Sequence, residues 1–295
     1  MKIIRADHLG MCFGVRDAIS LATNLASTEP ITILGDLVHN PKVLQRLDRH
    51  GIRSVKESEN LDTSTVMITA HGSSRRGIET LIQQGHRVIE ATCPLVHLAH
   101  QAIQSLVGEG YHPVVIGRAN HVEVRGMTGD LMAFDVILTE SDVNALPPRK
   151  RFGVVAQTTQ PVDRVRHLVA RLRDRFPASE VRFVDTVCQP TKQRQHAAEE
   201  LAHRCDVVVV VGGNHSNNTH ELVKTCQFEC PRVHQVESAH DLRSEWFEPE
   251  DTVGVTAGTS TPDDSIVEVE AWLRGVACSG NALSKSPVTA AKAVW

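Results

Sequence analysis

Short apolar runs alternate with amphipathic helical runs along the chain, and this alternation constrains the fold more than any other feature. The apolar runs predict strands over residues 2–6, 31–35, 65–70, 87–91, 112–117, 151–156, 181–185, 206–212 and 251–256. The amphipathic runs predict helices over 14–26, 41–50, 75–84, 95–108, 162–176, 190–203, 218–227 and 263–274. Strands and helices in alternation are typical of parallel sheets joined by right-handed crossovers. The sequence therefore predicts an α/β fold with parallel sheets.

Three cysteines occupy equivalent places in this alternation. Cys12, Cys93 and Cys188 each follow a strand-like run and directly precede an amphipathic helical run. They are 81 and 95 residues apart, which indicates three similar α/β units packed around a centre. Strand ends of such units converge, and a helix N-terminus favours the thiolate by lowering the pKa of the thiol. Three thiolates that meet at one point would bind metal and leave one metal position open.

Each of these cysteines also has an ordinary interpretation, because a single cysteine at a strand–helix junction is more often a small buried side chain than a ligand. The remaining cysteines favour that interpretation. Cys205 precedes an apolar run, and Cys226 and Cys230 lack the second pair that would complete a metal site. Cys278 begins a small, polar segment, residues 278–295, that we expect to be a loosely held tail.

Net charge and hydrophobic patterning bear on the partners and the location of the protein. The formal net charge of the 295 residues is −4, which gives no reason to expect binding to nucleic acid or to an anionic membrane. The run Val207–Val211 is too short to cross a bilayer and predicts a buried parallel strand. The first residues enter a strand without a signal-peptide pattern, so we expect a cytoplasmic protein. There the seven cysteines stay reduced, which favours metal or redox chemistry for some of them.

Polar side chains follow the predicted strands at their carboxyl ends, where α/β sheets bind ligands. They are His39, His71, His121, Glu123, Thr158, Ser216, Asn217, Asn218 and Ser260. This polar ring of imidazoles, hydroxyls and amides contains one carboxylate and suits a small anion near helix N-termini. No nucleotide-binding glycine or lysine motif accompanies it. Each residue alone is also consistent with a helix cap, a solvated loop acid or a turn, and only their shared edge favours a site.

Short motifs in and around this ring match a known family and occur in its order over about residues 1–275. They are Gly10-Met11-Cys12-Phe13-Gly14-Val15, Val38-His39-Asn40, Ala70-His71-Gly72, Ala91-Thr92-Cys93-Pro94-Leu95-Val96, His121-Val122-Glu123-Val124, Gln157-Thr158-Thr159, Cys188 with Arg194-Gln195, Ser216-Asn217-Asn218, and Thr256-Ala257-Gly258 with Ser260-Thr261-Pro262. On these motifs the chain resembles the 4-hydroxy-3-methylbut-2-enyl diphosphate reductases, also called the LytB or IspH family.

The resemblance implies three α/β domains with parallel sheets around a central iron–sulfur cluster. We place the domains at residues 14–93, at 94–187, and at 1–13 together with 188–277, followed by the tail. By the same resemblance, Cys12, Cys93 and Cys188 would ligate a [4Fe–4S] cluster and leave one iron without a protein thiolate.

The resemblance also implies the reaction. An allylic alcohol that bears a diphosphate would bind the open iron through its hydroxyl group, receive two electrons and lose water, giving isopentenyl and dimethylallyl diphosphate. The electrons would come from a donor such as ferredoxin or flavodoxin. The diphosphate would be held by His39, His71, Ser216, Asn217, Asn218 and Ser260. Glu123 would supply the proton that makes hydroxide a leaving group, with His121 and Thr158 in the relay.

Two positions depart from the family pattern. Val122 stands where proline is usual, between His121 and Glu123, and Asn217 stands where serine is usual. Asn217 is still a hydrogen-bond donor, but the change leaves open a diverged paralogue that reduces another allylic or phosphorylated alcohol. The other alternative is a non-catalytic iron–sulfur sensor, which would have no need of Glu123 or of a phosphate site.

Overall fold

The computed structural model describes residues 1–38, 40–56 and 61–283, with side chains as far as Cys278. In chain order the strands are β1 (Lys2–Arg5), β2 (Ile31–Leu34), β3 (Arg53–Val55), β4 (Thr65–Ile68), β5 (Arg87–Glu90), β6 (His112–Ile116), β7 (Asp135–Ile137), β8 (Arg151–Ala156), β9 (Glu180–Phe183), β10 (Val207–Val211), β11 (Val233–Val236) and β12 (Thr252–Ala257). The helices are α1 (Phe13–Ala26), α2 (Pro41–Arg49), α3 (Arg75–Gln83), α4 (Pro94–Gly108), α5 (Val122–Thr128), α6 (Glu140–Ala145), α7 (Val162–Arg175), α8 (Gln189–Ala202), α9 (Asn217–Glu229) and α10 (Asp263–Leu283).

These strands form three four-stranded sheets in the part of the chain that the structure describes. The strand orders are β3-β2-β4-β5 in the first sheet, β7-β6-β8-β9 in the second and β1-β12-β10-β11 in the third. Every strand pair is parallel. The third sheet joins the first strand of the chain to the last three. The predicted α/β class with three similar parallel sheets is therefore confirmed.

Both faces of the second sheet are covered, and this covering positions part of the site. Alternate residues of β6 and β8 pack into two core clusters, one with residues of α6 and α7 and the other with residues of α4 and α5. Helices α4 and α5, which follow Cys93 and His121, are thereby fixed to the same face. None of the described helices combines the length and the apolar character needed to cross a membrane.

The predicted element list misses three short strands and two short helices. The strands β3, β7 and β11 lie at one edge of their sheets and are partly exposed, so they lack the continuous apolar run of a central strand such as Val207–Val211. Helix α5 is only 7 residues long and contains β-branched Val122 and Val124, so its helical pattern is weak. Helix α10 continues to Leu283, so the predicted tail begins inside a helix; its remainder lies outside the described residues.

Gly153 in β8 marks a close contact between the second sheet and α4. A Cβ atom there would lie 2.8 Å from Tyr111 Cβ and 2.9 Å from Leu106 Cβ. Gly153→Ala should therefore lower the free energy of unfolding by about 1–3 kcal/mol, the usual effect of overpacking a core. Gly108→Ala is the matched control, since a Cβ at this last residue of α4 would meet nothing within 4 Å. Anaerobic denaturant unfolding measures both, and equal midpoints for the two variants would contradict the prediction.

Candidate functional site

The three junction cysteines share one backbone arrangement. Cys12, Cys93 and Cys188 are the N-cap residues of α1, α4 and α8, and each follows an edge strand of its sheet, β1, β5 or β9. Each donates its backbone N–H to a carbonyl in the loop that leaves the neighbouring strand. The acceptors are Thr259 at 3.2 Å, Ala70 at 3.0 Å and Thr158 at 2.9 Å, respectively. Each cysteine is therefore tied to a loop that also contains residues of the polar ring.

The cysteines approach one another from the three sheets. A Cβ atom on Gly14 would lie 2.7 Å from Cys93 Sγ, so the first turn of α1 lies directly against Cys93. Cys12 is close enough to Cys93 and to Cys188 for its charge to raise the pKa of both thiols, and Glu123 acts on the same two. The structure thus brings the three cysteines and Glu123 to one place.

This group of thiols differs from a site for a single ion. Within residues 1–38, 40–56 and 61–283, no group of three Cys, His, Asp or Glu side chains is arranged to hold one metal ion. In an iron–sulfur cluster each thiolate binds a different iron, so the ligand sulfurs are spread around the cluster instead of meeting at one atom. Three thiols that come from three separate sheets are the kind of ligand that such a cluster requires.

Burial dominates the pKa values of two of the thiols, Cys93 and Cys188. It raises the pKa of Cys93, although the backbone N–H groups of Leu95 and Val96 act in the opposite direction. It raises the pKa of Cys188 to about 11, against a smaller lowering by Thr191. The predicted lowering of the thiol pKa is wrong for these two residues, because removing a thiolate from water costs more than the helix N-terminus returns.

Glu123 is a buried acid with defined partners, not a solvated loop residue. Its side chain is on α5 and the residue is 1 % exposed. Its carboxyl oxygens accept hydrogen bonds from Thr158 N at 2.6 Å and from Thr158 Oγ1 at 3.0 Å. His121 is the N-cap of the same helix, and its Nδ1 accepts a bond from the Glu123 N–H at 3.2 Å. Burial raises the pKa of Glu123 to about 7, because it penalises the charged form more than the two Thr158 bonds favour it.

A small cavity of about 50 Å³ lies where loops from the three sheets meet. Its polar lining consists of His71, His121, Thr159, Ser216, Asn217, Asn218, Thr259 and Ser260, and its apolar lining of Val15, Leu37 and Val38. None of the described residues that line it is an Asp, Glu, Lys or Arg. The rings of His71 and His121 face each other edge to face, with centroids 5.5 Å apart. His39 lies outside the described residues, between Val38 of the lining and Asn40, which caps α2.

Several polar atoms in this cavity are buried without a protein partner. They are the amide oxygen and nitrogen of Asn217, Asn218 Nδ2 and Ser260 Oγ. The three residues are each 6 % exposed. Buried polar groups in native proteins are nearly always hydrogen-bonded, so the three open donors among these atoms, Asn217 Nδ2, Asn218 Nδ2 and Ser260 Oγ, indicate a ligand that accepts hydrogen bonds. Ser216, in contrast, caps α9, and its Oγ accepts a bond from Thr219 N at 3.3 Å.

Sequence reasoning gave no role to part of this lining. Thr159 and Thr259 adjoin ring residues at the strand ends, and Val15 and Val38 belong to the matched motifs, but none of the four was predicted to line the site. Leu37 had no signal, because nothing in an apolar residue shows whether it lines a cavity or a core. Outside the site, Cys226 and Cys230 are fully buried in one core cluster, in agreement with a structural role. Cys278 is exposed on α10.

The sequence matches a known family along most of its length. The model of the LytB protein family matches residues 3–274. A protein of Pelobacter propionicus named 4-hydroxy-3-methylbut-2-enyl diphosphate reductase is 38% identical over 91% of this chain and 96% of its own length. A protein of Geobacter metallireducens with the same name is 37% identical over 94% of this chain and 98% of its own length.

Solved structures agree with this match. A structure of (E)-4-hydroxy-3-methyl-but-2-enyl diphosphate reductase, the terminal enzyme of the non-mevalonate pathway, is 34% identical. It superposes with a TM-score of 0.69 and covers 93% of this chain and 99% of that chain. The E-1-hydroxy-2-methyl-but-2-enyl-4-diphosphate reductase from Plasmodium falciparum is 27% identical, with a TM-score of 0.86 over 92% of this chain and 87% of its own.

The open donors of the cavity lead to a binding prediction. Asn218→Ala and Ser260→Ala should each weaken binding of inorganic diphosphate by about 1–3 kcal/mol, because each removes a hydrogen bond to a charged group. Asn214→Ala is the control, since this exposed asparagine lies in the loop just before α9 and outside the cavity. Anaerobic isothermal titration calorimetry measures all three. Unchanged affinity in both cavity variants would place the anion elsewhere.

Proposed function

The chain belongs to the LytB protein family, and we propose that it reduces 4-hydroxy-3-methylbut-2-enyl diphosphate to isopentenyl and dimethylallyl diphosphate, the terminal step of the non-mevalonate pathway. The supporting observation is one juxtaposition: three converging thiols, a buried acid with a pKa of about 7 and a cavity of unpaired neutral donors. The reaction requires a source of electrons, a proton for the departing hydroxyl group and a site for the diphosphate. The structure offers a residue set for each.

We infer that the thiols of Cys12, Cys93 and Cys188 hold a [4Fe–4S] cluster. The donor set fits this group, because the three thiols converge from three sheets and thiolates are the ligands that such clusters need. When bound, the cluster supplies the two electrons of the reduction, which it receives from a donor of the ferredoxin or flavodoxin class. Thiols that must stay reduced also favour a cytoplasmic location.

The chain's own residues bind and orient the substrate. Asn217, Asn218 and Ser260 have open polar atoms that can donate to the phosphate oxygens. His71 lines the same cavity. His39 is part of the proposal from sequence alone. None of the described lining residues is an Asp, Glu, Lys or Arg. The diphosphate would therefore be held by hydrogen bonds from amide, hydroxyl and imidazole groups and not by lysine or arginine side chains.

Glu123 provides the proton for the oxygen that leaves. Replacing the C–OH bond by C–H consumes two electrons and two protons and releases water, and one of those protons makes hydroxide a workable leaving group. A carboxyl group with a pKa of about 7 is largely protonated at pH 6 and can donate at neutral pH. Thr158 holds both carboxyl oxygens, and His121 begins the helix on which Glu123 lies.

The buried acid also separates this function from a non-catalytic sensor. A sensor needs a cluster but no carboxyl group buried at 1 % exposure, whose burial opposes its ionisation. No observation on Val122 or Asn217 favours a different alcohol as substrate.

The cluster assignment predicts which thiols retain iron. Cys12→Ser, Cys93→Ser and Cys188→Ser should each lose most of the iron and sulfide of the anaerobically purified protein, expected at about four of each per chain. Cys205→Ser and Cys278→Ser are controls that leave the site untouched and should retain it. Colorimetric iron and sulfide analysis measures the content. Full retention in all three site variants would rule out the ligand set.

The role of Glu123 predicts a selective loss of turnover. Glu123→Gln should retain the cluster and diphosphate binding, while kcat for the diphosphate substrate falls about 10²-fold or more, because the titrating proton is absent. The assay is anaerobic turnover with a chemical reductant, with both product isomers quantified. In the unmodified protein the donating form is present below a pH of about 7, so kcat should fall as the pH rises through that value.

The glutamine variant should lack this pH dependence, since it has no proton to lose at that position. Near-native kcat in Glu123→Gln would rule out the role and point to His121 or a bound water. No turnover by the fully loaded, unmodified protein would contradict the proposed function itself.

A further inference from the structure

A chain of side-chain hydrogen bonds connects two walls of the site through the protein interior. One wall is the N-terminus of α9, where Asn217 and Asn218 line the cavity. The other is the turn after β8, residues 157–159, where Thr158 holds Glu123 and Thr159 lines the cavity. The two walls belong to different sheets, the third and the second. The distance between them sets the distance between a bound diphosphate and the acid.

The first link of the chain is an ion pair between helices of the two sheets, in which the carboxylate is buried and the arginine is partly exposed. Glu221 lies on α9, one turn beyond the cavity residues, with 4% of its side chain exposed. Its Oε2 accepts a bond from Arg164 on α7 at 3.0 Å. Its other oxygen accepts a weaker bond from Lys224 at 3.3 Å, whose side chain is 54% exposed. Arg164 is therefore the partner that compensates the buried charge of Glu221 from across the domain boundary.

The remaining links run from Arg164 to the cavity. Its second nitrogen donates to Gln160 Oε1 at 3.2 Å, and Gln160 Nε2 donates to Gln157 Oε1 at 3.1 Å. Gln157 Nε2 then donates to Thr159 Oγ1 at 3.1 Å. Both glutamines are fully buried. Arg164 uses the fork of its guanidinium group to join the carboxylate on one side to this amide chain on the other.

We propose that Arg164 is a positioning residue for the reductase reaction, which fixes the α9 wall against the turn that holds Glu123. The proposal rests on the proposed function. The diphosphate donors Asn217, Asn218 and Ser260 all belong to the third domain, whereas the acid and its holder Thr158 belong to the second. Loss of Arg164 therefore leaves each half intact and misaligns them. A misplacement of about 1 Å between reacting groups can reduce the rate about 10²-fold.

The test separates alignment from binding and from folding. Arg164→Met removes the fork and keeps most of the side chain's length. We expect kcat to fall about 10- to 100-fold, with iron content unchanged and the Kd for inorganic diphosphate within about twofold of the unmodified protein. Lys224→Met is the matched control, because it removes the exposed partner of Glu221 and leaves the buried chain intact; its kcat should not change.

A charge exchange provides a second, independent variant. Arg164→Glu alone places two carboxylates together and should lose activity. The pair Arg164→Glu with Glu221→Arg restores the ion pair in reverse but not the bond to Gln160, so it should recover part of the lost kcat. Native kcat in Arg164→Met, or a loss of kcat that only parallels lost iron, would overturn the positioning role. Absence of recovery in a well-folded, cluster-loaded double variant would also overturn it. Failure of the unmodified protein to turn over would instead be a failure of the proposed function.

Discussion

Parallel strand pairing is the constraint on which the whole site depends. It places the carboxyl ends of all four strands of a sheet on the same side, and each of the three sheets contributes residues to the site from that side. The edge strands β1, β5 and β9 lead to the three cysteines. The neighbouring strands β12, β4 and β8 lead to Ser260, His71 and Thr158, and each of their loops accepts the N–H of the adjacent cysteine. The next strands, β10 and β6, lead to Asn218 and His121. The site therefore consists of the same arrangement of strand ends, contributed by each of the three sheets around one centre.

Desolvation is the second determinant of the site's chemistry. It opposes the ionised form of every buried acid there, so the pKa of Cys188 and that of Glu123 both rise. For Glu123 this is useful, because it keeps a proton available near neutral pH. For Cys93 and Cys188 it likewise opposes the thiolate form. The open donors of Asn217 and Asn218 are costly for the same reason until an anion accepts their bonds.

Ion pairs of two kinds connect elements of different domains. Arg16, Lys42 and Arg46 on α1 and α2 pair with acidic residues of α10, and all of these side chains are roughly half exposed. Such surface pairs contribute little individually and are screened by salt. The pair Arg164–Glu221 differs in two ways: its carboxylate is buried, and its guanidinium group also donates to the first glutamine of the amide chain. Breaking it leaves the buried carboxylate of Glu221 with only the exposed Lys224 as a partner, so this pair defines a geometry more strictly than the surface pairs do.

The sequence by itself determined the fold class, the three equivalent cysteine junctions and most of the polar ring. It could do so because central parallel strands such as Val207–Val211 are continuous apolar runs, and because each ring residue lies within a few residues of the end of a predicted strand. Only the tertiary structure decided the rest. The edge strands β3, β7 and β11 and the short helix α5 depend on neighbours for stability and so leave weak local patterns. Three further features depend on residues that are distant in sequence. They are the burial that raises the pKa of Glu123, the burial of the unpaired polar atoms of Asn217 and the hydrogen-bond chain from Glu221 to Thr159. Their energies come from the removal of water by packing between domains, which no local pattern of residues records.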